Sequence, residues 1–105
     1  MKLYFDQDYL ADLYTKGGTK DKKHRYQPDV IKKYVRTIDV MKRVANVWQL
    51  TQYRGLRYEH LRGDKDGLSS VRVNDQYRIE FKEYIQDGDT IASICNIVDL
   101  SNHYE

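Results

Sequence analysis

The sequence predicts an α+β domain: a short N-terminal strand, then two helices packed on one face of a mainly antiparallel sheet. Three observations predict it. Apolar residues recur at three- and four-residue spacing through the first half of the chain. After Gly55 the period changes to two. Turn-forming clusters then separate the short alternating runs. At 105 residues the chain has the length of one domain, 1–105. A core of that size needs no covalent staples.

Residues 2–5, KLYF, read as the first strand. Asp6 is placed to cap a helix over about residues 7–15, where Tyr9, Leu10, Leu13 and Tyr14 share a face and Gly17-Gly18 ends it. A polar basic connector, TKDKKHRYQ, follows. The second helix starts at Pro28, whose missing N–H costs nothing in a first turn. Ile31, Tyr34, Val35, Ile38, Met41, Ala45 and Trp48 form its apolar stripe, and its end is expected near Asn46. Strands are expected at 56–62, 68–73, 77–85 and 90–98, with turns at 63–67, 74–76 and 87–89. The run TIASICNIV is nearly continuous apolar, as an interior strand would be.

No long apolar run or secretory leader is visible. A lone cysteine, Cys95 in that apolar run, excludes a disulfide framework and reads as a buried, inert thiol. A cytoplasmic location and the absence of a membrane partner fit these features. Net charge is only +2, but residues 16–43 hold ten lysines and arginines against three aspartates. That block suits either a solvated helical face or a polyanion footprint. The ten tyrosines suit either core edges or stacking on bases.

The stretch LSSVRVNDQYRIEF places Arg72 and Arg78 among apolar residues. If the loop contains three residues, Asn74 to Gln76, Val73 meets Tyr77 and Val71 meets Ile79 on the core face. Arg72 then lies directly opposite Arg78 on the other face, with Ser70 and Glu80 beside them. Like charges paired across strands are destabilising. The pair therefore serves an anion or is screened by a carboxylate, for which Glu80 is at hand; parity alone leaves both open.

GLRYEHLRGDKDGLSSVRVNDQYRIEF, 55–81, and the tail IVDLSNHYE, 97–105, resemble the HigB-type killer toxins of bacterial type II toxin–antitoxin modules, within the RelE/ParE superfamily. The resemblance implies a RelE-like fold and a ribosome-dependent mRNA endonuclease held inactive by a cognate antitoxin, a small helix-turn-helix protein. The ribose 2′-hydroxyl would attack the adjacent phosphate, chemistry that needs no metal or other cofactor. It needs cations on the phosphate, a base and an acid.

On this resemblance Arg78 is the phosphate-holding residue, and Arg72 is a second basic strand position. Asp99, His103 and Tyr104 fall near the family's C-terminal catalytic cluster, with altered spacing and order. Arg62 and Lys65 at the turn, and Lys32, Lys33 and Arg36 on the second helix, are candidates for RNA contact. Many relatives carry a histidine before the turn. Here Glu59 matches that position and His60 lies on the opposite strand face, so the general base is left open, as is the role of His24. The same fold also serves non-nucleolytic toxins such as gyrase poisons, or a degenerate module that only binds its antitoxin.

Overall fold

The computed structural model describes residues 1–102. The elements in chain order are β1 (Lys2–Phe5), α1 (Asp8–Lys16), α2 (Pro28–Arg43), α3 (Val47–Thr51), β2 (Glu59–His60), β3 (Ser69–Arg72), β4 (Tyr77–Tyr84) and β5 (Ile94–Asn102). Single 3-10 turns lie at Arg54–Leu56 and Gly63–Lys65. The strands form one sheet in the order β1-β5-β4-β3-β2. Only β1 and β5 run parallel; every other pair is antiparallel. The α+β layer read from the sequence is thus present, with a third, short helix added.

The core is one cluster between helices and sheet. Leu10, Leu13, Tyr34, Ile38 and Met41 from the helices meet Val71, Ile79, Phe81, Ile97 and Leu100 from the strands, all at most 2 % exposed. The buried Tyr34 hydroxyl donates to the Leu10 carbonyl at 2.8 Å, so this ring brings no orphaned polar atom into the core.

The hairpin of β3 and β4 has the register parity requires. Val71 pairs with Ile79 and Arg72 with Arg78, and the Val73 N–H donates to the Tyr77 carbonyl at 3.0 Å. Asn74 shapes the three-residue loop: its Oδ1 accepts from the N–H groups of Gln76 and Tyr77 at 2.9 and 2.7 Å. A second irregularity was not expected. Between β4 and β5 the register slips between Glu80 and Phe81, where Asp99 and Ile97 are the successive partners. Val98 is the extra residue. The bulge lets Ile97 and Leu100, an odd number of residues apart, both face the core.

Four expectations need correction. Asp6 does not cap α1: its N–H donates to the Ile97 carbonyl at 2.8 Å, prolonging the β1–β5 pairing, and the cap position is Gln7. The second helix stops at Arg43 because Val44 is extended and Asn46 starts a new helix. Asn46 Oδ1 accepts from the Gln49 N–H at 2.9 Å, while Gln49 Oε1 accepts from the Ala45 N–H at 2.8 Å, a reciprocal pair of the capping-box kind. Trp48 therefore leaves the stripe and is 59 % exposed. The 56–62 strand shrinks to two residues, because Arg57 sits in the left-handed region with φ 47° and interrupts the extended run. The last strand lies at 94–102 rather than 90–98, since residues 94–97 pair on both sides and carry β5 onward.

Among the described residues no helix is long and apolar enough to cross a membrane. Cys95 is buried, and burial pushes its thiol up to about 12. At pH 8 it stays protonated and shielded. A thiol-specific disulfide reagent is expected to leave native Cys95 unmodified over an hour and to react stoichiometrically after denaturation; rapid modification of the native protein would contradict this packing.

Candidate functional site

Alternation along β3 and β4 sends Ser70, Arg72, Arg78 and Glu80 to the sheet face away from the helices. Glu59 joins them from β2 by pairing with Ser70, and Ser101 joins from β5 by pairing with Arg78. The 3-10 turn after Arg62 brings Lys65 over this face, where its Nζ lies 2.6 Å from Glu80. Glu80 is 5 % exposed and also accepts from Ser101 Oγ at 2.9 Å. A buried carboxylate with a cation and a hydroxyl donor is satisfied, so it serves as the rigid floor of the site.

The arginines are screened by other carboxylates than Glu80. Arg72 donates to Asp75 in the hairpin loop, an exposed side chain. That hydrogen bond holds the Asp75 carboxyl below its ordinary value, and the charges of Arg57 and Lys33 add to the effect. Arg78 is different. Its side chain is only 12 % exposed, and its Nη1 lies 3.6 Å from Glu59, too far for a hydrogen bond. Nη1 is buried without any hydrogen-bond partner among the described residues. Ser70 Oγ, on the same face, is likewise buried and unpartnered. Buried donors without acceptors are costly in a folded protein. Here two of them are diagonal neighbours beside a half-exposed carboxylate. The arrangement can take an anion on the guanidinium and a proton on Glu59.

The structure therefore brings together Arg72, Arg78 and Lys65, and adds Glu59 and Ser70, which the sequence reading left without a role. Parity was the available signal, because the residue pairing with Ser70 must share its face. Arg62 is exposed at the start of the 63–65 turn. Lys32, Lys33 and Arg36 are exposed on α2, in the layer across the sheet from the arginines. Asp99 lies at the β5 bulge, where the Tyr9 hydroxyl donates to its carboxylate at 2.8 Å. Burial, then this bond, raises the Tyr9 phenol far above its ordinary range. His103 and Tyr104 lie outside the described residues.

Two histidines are held elsewhere. His60 pairs with Ser69 on the helix-bearing face, with Nδ1 3.0 Å from Ser69 Oγ and its ring edge-on to Tyr58. His24 stacks on Tyr9 with ring centres 3.6 Å apart, and its Nδ1 lies 2.9 Å from Asp21. Among the described residues no group of three or more histidines, cysteines or carboxylates is placed to hold a metal ion.

Comparison with known proteins agrees with this architecture. The chain is 34 % identical over 83 residues to Toxin HigB-1 of Vibrio cholerae serotype O1, covering 78 % of this chain and 83 % of that toxin. Its fold is similar to that of the YoeB/ParE toxin from Agrobacterium tumefaciens, with a TM-score of 0.55, 17 % identity, and 99 % and 100 % of the two chains covered. The YoeB–YefM complex from Staphylococcus aureus gives a TM-score of 0.56 at 17 % identity, covering 99 % and 98 %. The profile describing the RelE-like toxin HigB of type II toxin–antitoxin systems matches residues 3–99, and the chain belongs to that family of HigB-like toxins.

Proposed function

We propose that this toxin is a ribosome-dependent mRNA endonuclease whose site is the sheet face around Arg78. The observation that supports it most is the buried Arg78 guanidinium with a donor left without an acceptor. Phosphate oxygens would satisfy that donor, and the planar guanidinium suits a two-point clamp.

In the reaction, Arg78 holds the scissile phosphate and Arg72 adds charge once Asp75 swings away. Glu59 takes the proton from the ribose 2′-hydroxyl as the new O2′–P bond forms. The P–O5′ bond breaks, and the leaving oxygen is protonated by an acid from the C-terminal tail, for which His103 and Tyr104 are the candidates. The products are a 2′,3′-cyclic phosphate and a free 5′-hydroxyl, so the protons balance. No cofactor takes part in this scheme. Arg62 and the α2 cations Lys32, Lys33 and Arg36 rest on ribosomal RNA phosphates, outside the cleavage site. An antitoxin restrains the toxin, as the YoeB–YefM complex and the family description suggest.

Brief induction followed by 5′-end mapping tests this reading. Expected are new mRNA ends at in-frame positions that vanish when translation is blocked. DNA damage with intact mRNA would replace it with a gyrase-type activity. Glu59→Gln should lower cleavage by roughly 10²–10⁴-fold with little change in RNA affinity; full cleavage by that variant would remove Glu59 as the base.

A further inference from the structure

Beyond Ile97 strand β5 loses its β1 neighbour, because β1 pairs only with residues 94–97. The edge of residues 98–102 is instead followed by the basic connector of residues 17–27. This connector is tied down. The Lys23 N–H donates to Asp21 Oδ1 at 2.9 Å, and His24 is held by Asp21 and the Tyr9 ring. The Tyr26 hydroxyl donates to the Leu100 carbonyl at 2.8 Å. His24 and Tyr26 therefore point inward, and Lys23 and Arg25 point out and are exposed. Neither cation forms an ion pair among the described residues.

Between connector and strand edge lies an open, polar-walled pocket of about 410 Å³. Lys23, Arg25, Tyr77, Asp99 and Ser101 line it, as does Lys65. Ser101 is the residue directly opposite Arg78, and Lys65 also reaches the Glu80 floor. The pocket is thus one strand away from the phosphate site and continuous with it.

We propose that this pocket seats the nucleotide next to the one whose phosphate Arg78 holds. Lys23 and Arg25 contact its phosphate, and Tyr77 lies against its base. The proposal rests on the RNA reading of the Arg78 face and extends it to a second nucleotide. Two cations on an already ordered segment lose little freedom on binding, which favours a built contact over a drifting charged loop. The Tyr77 ring, fixed edge-on by Tyr26 at 5.4 Å, offers a surface that any base can stack on.

The test is fluorescence anisotropy of a labelled, uncleavable 2′-O-methyl RNA decamer over a salt series. Lys23→Ala/Arg25→Ala is expected to weaken binding about tenfold at low salt and to flatten the slope of log K against log salt by about 1.4, from 0.7 per lost phosphate contact on a single strand. Lys32→Ala/Arg36→Ala, across the sheet, should leave both unchanged. An abasic site beside the central nucleotide should cost wild-type affinity about tenfold. Thermal melts check folding, and Lys23→Gln/Arg25→Gln is read if the alanine pair melts early. Wild-type affinity and slope in the Lys23/Arg25 variants, with weakening in Arg78→Ala, would overturn the pocket and leave the RNA reading standing. A wild-type protein that binds no RNA would overturn both. Competition by an acidic polypeptide without any RNA binding would turn the pocket into a protein contact and also end the proposal.

Discussion

Replacing Arg78 by alanine should lower RNA cleavage by about 10²–10³-fold and leave thermal stability unchanged or slightly raised. The two halves of this expectation come from one geometry. Arg78 is nearly buried, faces Arg72 across the hairpin, and has a donor that nothing in the folded protein satisfies. Its removal relieves like-charge repulsion and deletes an unpaired donor. It also deletes the fork that would hold a phosphate. Arg78→Lys keeps the charge but loses the two-point geometry, so it should recover only part of the rate. The measurements are reporter-mRNA cleavage in a translation extract and a thermal melt of each variant. An Arg78→Ala protein that unfolds, or one that cleaves at full rate, would show the residue to be structural or idle.

Phe81→Ala should destabilise the fold by about 3–5 kcal/mol, lowering the melting temperature on the order of 15–30 °C. Phe81 is fully buried, pairs with Ser69 on one side and Ile97 on the other, and lies beside the bulge that aligns β5. No flexible neighbour can close the gap. Trp48→Ala is the contrast: the larger side chain is mostly exposed, and its loss should change stability by about 0.5 kcal/mol or less. Chemical denaturation of the two variants separates the cases, and a larger effect at Trp48 would mean that the α2–α3 break is misplaced.

That contrast shows where the sequence could be read. Spacing put Trp48 on the α2 stripe because helical period alone cannot see a break. The break was nonetheless encoded, in Asn46 and Gln49 three residues apart. The hairpin was legible because a single-residue slip would have buried Arg78, so only an odd loop satisfied both strands. The β5 bulge was not legible: Val98 and Asp99 become an irregularity only once Ile97 and Leu100 must both meet the helices. The site divided in the same way. The face shared by Arg72 and Arg78 followed from alternation. Glu59 did not stand out, because its place beside Arg78 depends on β2, a strand of two residues. Lys65 was assigned to RNA, yet its contact with Glu80 comes from a turn over the sheet that no period announces.

The parallel pairing of β1 with β5 has a kinetic consequence. Lys2 finds its partner at Ile94, and Phe5 at Ile97, so the first strand made must wait for the last one described. Most of the sheet joins residues far apart in the chain, which places folding at the slow end for a domain of this size. A nascent chain has no complete core and no Ser101 wall beside Arg78 until residue 102 has left the ribosome. The toxin is therefore assembled only after its own synthesis has passed through β5.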